Sequence, residues 1–210
     1  MTGPGLRARK KQQTREAIIG TAQRLFFERG FDDVTVADIA KGAEVAEGTV
    51  FNYFGTKEDL FFSGMEAYED RLIAAVRDRA ESQSVMDAFR DVVIDGSRQL
   101  ASRGDAQGAA LGAKLMSESS SLRKRELEIV ADYTRTLAQM LAADLESTDL
   151  DITPYVAANA LIGVHRALVD LVRRLAIDGV SGADIASRVA EEAENGFTAL
   201  SDGLADYGRR

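Results

Sequence analysis

The stretch of this chain best equipped for specific chemistry is Gly48-Thr49-Val50-Phe51-Asn52-Tyr53. Wound as a helix, it turns Val50 and the following Phe54 to one edge and presents Gly48, Thr49, Asn52 and Tyr53 as one continuous outer face, with Phe51 at its border. That face is slim and polar. A threonine methyl can touch thymine, an asparagine amide can bond both edge atoms of adenine, and a tyrosine hydroxyl can take a phosphate. Gly48 leaves room for close backbone approach, and Glu47, just ahead, can accept a bond from cytosine or repel mismatched sites. Lys57 opens the next helix, where an ammonium and a helix N-terminus both attract an anion, and Thr35 is placed both to cap a helix and to meet a phosphate.

Other chemistries are poorly served. The chain has 210 residues with no Cys and one His, so thiol chemistry is excluded. It shows no Ser/His/Asp constellation and no metal-spaced cluster. Acid pairs such as Glu66 and Asp70 have the spacing of a solvated helix face. The expectation is a non-enzymatic protein without catalytic residues, metal or cofactor. No apolar stretch follows the basic start, and no run reaches the roughly 18 apolar residues of a membrane span, which predicts a cytoplasmic protein with no membrane partner.

Charge is unevenly spread. Up to Arg15 there are cations only (Arg7, Arg9, Lys10, Lys11, Arg15), whereas the net charge of -8 arises wholly beyond residue 60. A basic start ahead of an acidic body suits local contact with DNA rather than broad coating.

The elements that position these residues read as all-α. A helix from Gln13 to Arg29 carries Ile18, Ile19, Ala22, Leu25 and Phe26 on one side and is stopped by Gly30. Thr35 and Asp38 have the spacing of a capping box and start a second helix ending near Gly42; a third covers Ala46 to Tyr53. The short connection between these two forces them to pack together on the first, as a helix-turn-helix on a three-helix platform. Thr56 caps a long fourth helix to about Ala80. Further helices are expected over Val85–Ser102, Ala106–Ser117, Leu122–Asp144, Pro154–Ile177 (with Thr153 as cap) and Gly182 to about Ala205, about nine in all. The domain reading is a basic flexible arm over 1–12, a helix-turn-helix domain over 13–56, and a ligand-binding and dimerisation domain over 57–206.

In the C-terminal part, the Pro154–Ile177 helix is apolar over more than half its circumference, wider than one core contact requires. This predicts a homodimer in which it and the last helix form a two-fold interface from Leu161, Val164, Leu168, Leu171, Leu175, Val189, Ala193, Phe197 and Leu200. His165 falls within that apolar arc. With Phe61, Met65, Phe89, Met116, Tyr133, Leu137, Met140, Leu161 and Leu168 it is a candidate for lining an apolar effector pocket. Ser119-Ser120-Ser121 followed by Leu122 and Arg123-Lys124-Arg125 places three cations where the helix dipole disfavours them, which suggests an anion site at Arg123.

The first sixty residues resemble the TetR family of regulators, through Arg15, Ile18, Ala22, Leu25-Phe26, Gly30-Phe31, Val34-Thr35-Val36, Ile39-Ala40, Val45, Gly48 to Phe54 and Lys57-Glu58-Asp59-Leu60. The resemblance implies that the third helix reads the major groove of double-stranded operator DNA with Glu47, Gly48, Thr49, Phe51 and Asn52. It also implies that Thr35 (with Val36 beside it), Tyr53 and Lys57 lie against phosphates, and that Arg7, Lys10 and Lys11 reach the minor groove. A small-molecule effector would release a repressor dimer. The serine-rich turn resembles that of members with an acyl-CoA-like ligand domain. An activator or a helical adaptor with the same fold is the alternative. Two positions depart from the family pattern. Glu44 stands where the turn usually has Gly, and Ala46 replaces the usual Ser cap, at about 1–2 and 1 kcal/mol respectively.

Overall fold

The computed structural model of the chain describes residues 5–63, 66–103, 106–148 and 150–204, and every regular element among them is a helix. The chain divides into two compact units, the first comprising Met1–Ala67 and Leu115–Arg125, the second Tyr68–Lys114 and Glu126–Arg210.

The first unit is built on α1 (Leu6–Arg29), which buries Ile18, Ala22, Leu25 and Phe26 and is ended by Gly30 at φ 86. α1 starts seven residues before the expected Gln13, so Arg7, Lys10 and Lys11 stand exposed on a helix rather than on a flexible arm. Nothing between Gly5 and Gly20 breaks a helix; Arg, Lys and Gln are good formers, and Gln12 donates to Glu16 at 2.7 Å one turn on. α2 (Val36–Gly42) begins with the expected capping box: the Asp38 amide donates to Thr35 Oγ1 at 3.1 Å and the Thr35 amide returns to Asp38 Oδ2 at 3.0 Å. α3 (Glu47–Tyr53) follows after Glu44, whose φ of 55 is the left-handed turn conformation, and Ala46 supplies no capping bond. α4 (Lys57–Phe62) is capped by Thr56, which accepts from the Asp59 amide at 3.0 Å.

The long fourth helix expected to reach Ala80 is two helices, α4 and α5 (Glu66–Arg77). Buried Ser63 ends α4, its amide and hydroxyl both turning back to the Leu60 carbonyl at 3.4 and 2.9 Å, and Gly64 follows in the sequence. The aromatic rings of the first unit form one cluster. Phe31 lies 5.0 Å from Phe26 and 5.8 Å from Phe61, which meets Phe62 edge-on at 5.1 Å. Residues 115–125, where α7 (Ala106–Glu118) passes into α8 (Ser120–Asp144), belong to the same unit. Ser119 Oγ donates to Asp32 Oδ1 at 2.8 Å and Arg125 Nε to Asp59 Oδ1 at 2.7 Å, fastening this turn to the loop after α1 and to α4.

The second unit holds α5, α6 (Val85–Arg103), most of α8, α9 (Thr153–Ile177) and α10 (Gly182–Leu204), with α10 packed on α6 and α9. Its core collects Leu72, Val76, Phe89, Val93, Leu137, Leu141, Leu161, Ile185, Val189 and Phe197, all buried. α6 and α10 carry serine caps: Ser84 accepts from the Asp87 amide and Ser181 from the Asp184 amide. α9 starts one residue earlier than expected, so Thr153 is helical and not the cap; its amide is met by Asp151 Oδ1 at 2.9 Å. α9 is long and apolar enough by length and composition to cross a membrane. Here its apolar side packs into the core through Ala158, Leu161, Ile162 and Leu168.

Arg79 is the most deeply buried charge of this unit, 1% exposed, with Nη2 2.6 Å from Asp144 Oδ2 and Nη1 donating to the Val76 carbonyl at 2.8 Å. Removing one member of such a pair costs more when the charge left behind is the better buried one. Asp144 is 18% exposed, so Asp144→Asn is expected to cost about 3 kcal/mol and Arg79→Met less, about 1–2 kcal/mol, in urea unfolding. The reverse order would mean that solvent reaches Arg79. In the first unit, Glu44→Gly should raise stability by up to about 1 kcal/mol, because glycine adopts the left-handed turn without strain.

Candidate nucleic-acid interface and effector cavity

A helix of seven residues cannot hold its shape by hydrogen bonding alone, so α3 depends on what it buries. Val50 and Phe54 are the buried edge, 2% and 5% exposed, and Arg15 of α1 lies over the Phe54 ring at 5.4 Å. With that edge fixed, Glu47, Gly48, Phe51 and Asn52 are exposed, and Thr49 and Tyr53 are half-buried beside them. Phe51 is 51% exposed, a large apolar side chain left in solvent at the border of the polar face. Gly48 has open space where a side chain would stand, so its value lies in what approaches from outside. Thr35 is exposed and Val36 half-buried at the start of α2.

Lys57 stands differently from its expected phosphate role. Its ammonium donates to the carbonyls of Phe31 at 2.8 Å and Val34 at 2.9 Å and sits 4.2 Å from the centre of the Phe31 ring. It therefore ties α4 to the loop between α1 and α2 and serves the frame of the reading head. Sequence gave no sign of this, because the two acceptors are backbone atoms more than twenty residues away.

The box at Thr35 has its own electrostatics. The Thr35 hydroxyl and then its backbone amide hold the Asp38 carboxyl at about 2, with the Arg29 guanidinium 3.4 Å away assisting.

The expected effector-pocket residues are divided between the two units. Phe61, Met116 and Arg123 belong to the first unit, and Phe61 is part of its ring cluster. Phe89, Leu137 and Leu161 are fully buried in the core of the second unit, with Met140 packed against it. Tyr133 is buried, its hydroxyl donating to the Glu69 carbonyl at 3.3 Å. Met65 lies outside the described residues. Arg123 is exposed, and its Nη1 donates to the carbonyls of Met116 at 3.1 Å and Ser117 at 2.6 Å, a cation on the carbonyls at the end of α7.

What the second unit does hold is a cavity of about 190 Å³ lined by Tyr68, Val93, Gly96, His165, Leu168, Val169, Val172 and Val189. His165, Leu168, Val169 and Val172 come from one face of α9 at helical spacing. Only His165 and Leu168 of the expected set are among these residues. The Tyr68 and His165 rings lie 5.5 Å apart, and the Tyr68 ring fills the place where a side chain on Gly96 would stand, 2.7 Å from such a carbon. Burial, with the Arg173 charge adding to it, holds the His165 imidazole at about 4, and burial pushes the Tyr68 hydroxyl up to about 12. Both are uncharged at neutral pH. Among the described residues no group of acidic, His or Cys side chains is arranged to hold a metal ion.

The residues expected to form a dimer interface are mostly spent inside the chain. Leu161, Leu168, Val189, Ala193 and Phe197 are buried in the core, and Val164, Leu171, Leu175 and Leu200 are half-buried against it. α9 packs on α10 and α6 through its buried residues, while Tyr155, Val156 and Ile177 stay about half exposed.

Comparison with known proteins decides the family. Residues 18–63 match the model of the bacterial regulatory proteins of the tetR family. The HTH-type transcriptional regulator TcmR of Streptomyces glaucescens is 32% identical over 160 residues, covering 71% of this chain and 67% of that protein. The chain belongs to the TetR family. It is a transcriptional regulator of the helix-turn-helix, DNA-binding type. Two solved TetR-like folds resemble it at lower identity. One is native NalD, described as the secondary repressor of the MexAB-OprM multidrug efflux pump in Pseudomonas aeruginosa (TM-score 0.57, 22% identity, covering 88% of this chain and 97% of that one). The other is FadR from Bacillus subtilis in complex with stearoyl-CoA (TM-score 0.52, 23% identity, covering 86% and 98%). At such identities the likeness is one of fold.

The capping box gives this TetR-family head a checkable pH response. Asp38 has a folded value below its ordinary one, so its contribution is complete above about 4 and is lost as pH falls towards about 2. Thr35→Ala should lower the melting temperature by several degrees at neutral pH and remove most of the additional loss between pH 4 and 2, followed by circular dichroism.

Proposed function

We propose that this regulator is a homodimeric repressor whose α3 enters the major groove of operator DNA and which a small, largely apolar effector releases. The single observation that carries the DNA reading is the division of α3: Val50 and Phe54 anchor it, and Glu47, Gly48, Phe51 and Asn52 are left exposed. Asn52 and Thr49 read base edges, while Glu47 and Phe51 shape preference at the margins. Thr35, beside Val36 at the start of α2, and Tyr53 meet phosphates. Arg7, Lys10 and Lys11 supply charge on the first turns of α1. Lys57 acts on DNA only by holding α4 in place.

The dimer surface proposed is the outward side of α9 and α10, where Tyr155, Val156 and Ile177 are about half exposed, and Gly163 and Ala167 leave space for close approach. The soluble, cytoplasmic setting follows from this role. Release is a population shift: the effector favours a form of the dimer whose heads no longer match half-sites about 34–36 Å apart. An activator would use the same contacts and differ only in where its operator lies.

An operator selected from random duplexes provides the test. Asn52→Ala and Thr49→Ala should each weaken that operator about 10- to 100-fold and leave random duplex nearly unaffected. Lys10→Gln/Lys11→Gln should instead weaken both and flatten the slope of log affinity against log salt by about 2. Indifference of operator binding to Asn52→Ala would remove α3 as the reader.

A further inference from the structure

We propose that the cavity between α5, α6, α9 and α10 binds a compact, uncharged ring compound carrying one hydroxyl, which His165 and Tyr68 hydrogen-bond while the valines enclose its apolar part. This rests on the effector reading above and names the class of effector.

Size is the first argument. A dry cavity near 150 Å³ accepts benzene, so about 190 Å³ suits a single substituted ring and is too small for a long acyl chain. The walls are the second. Val93, Leu168, Val169, Val172 and Val189 offer nothing to a charge, and no lining residue is cationic, so a charged ligand would lose its hydration without compensation. The third is the pair of polar groups. Among the described residues neither the imidazole of His165 nor the hydroxyl of Tyr68 has a hydrogen-bond partner. A neutral imidazole has one donor and one acceptor nitrogen, and a phenol does both, so the two match a single hydroxyl in either direction. Gly96 makes the arrangement possible: a side chain there would collide with the Tyr68 ring.

The test uses the full chain and calorimetry with 4-ethylphenol, ethylbenzene and 4-ethylbenzoate. Wild type should bind 4-ethylphenol more tightly than ethylbenzene and should not bind 4-ethylbenzoate. His165→Phe should weaken 4-ethylphenol about tenfold, the loss of one hydrogen bond, and leave ethylbenzene within twofold. Tyr68→Phe, which removes only the hydroxyl, should act in the same direction if the histidine variant melts too low to use. Val172→Phe, which fills the cavity, should abolish binding of both. No binding of 4-ethylphenol to wild type, equal binding by the histidine and tyrosine variants, or preference for the benzoate overturns the site. Operator binding is read separately by anisotropy. Binding in the cavity without release of DNA sinks the effector reading and leaves the site standing, whereas release that Val172→Phe prevents supports both.

Discussion

Short helices are the physical problem of the first unit. α2 and α3 have seven residues each and α4 has six, all below the length at which a helix persists in water. Their shape is therefore bought from side-chain burial against α1 and the Phe26, Phe31, Phe61 and Phe62 rings, from caps at Thr35 and Thr56, and from the Lys57 ammonium on two carbonyls. For α3 the burial is on one edge, at Val50 and Phe54. The outer side of α3, with Glu47, Gly48, Phe51 and Asn52 exposed, is consequently free of structural duty.

The same unit contains two compromises. Glu44 holds a left-handed backbone that glycine would hold without strain, and Ala46 leaves the start of α3 uncapped. Against these, Ser119 and Arg125 lock a distant turn to Asp32 and Asp59. Residues 115–125 thus belong to the first unit although both flanking stretches belong to the second. The chain crosses between units at both ends of this stretch as well as near residue 67.

In the second unit the governing constraint is the girth of α9. This helix buries Leu161, Ile162 and Leu168 in the core, and a cavity remains beside His165. A histidine held near 4 contributes to pH sensitivity in one direction. The unfolded chain takes up a proton below its ordinary value of 6.5 and the folded chain does not, so stability falls as pH drops from there to about 4.

Periodicity, caps and glycines in the sequence determined the all-helical class, nearly every helix boundary after residue 80, the capping box of α2 and the division of α3 into an anchored edge and an exposed face. These are local properties, set by neighbours within a turn or two, so the order of residues is enough to write them. Tertiary structure alone decided that Lys57 holds the carbonyls of Phe31 and Val34, that Ser119 and Arg125 reach Asp32 and Asp59, and that His165 lies against Tyr68. The reason is common to all three. Each depends on which long-range partner satisfies a charge, a ring or a carbonyl, and an apolar or cationic residue carries no mark of whether its partner will be the core, another helix end or a ligand.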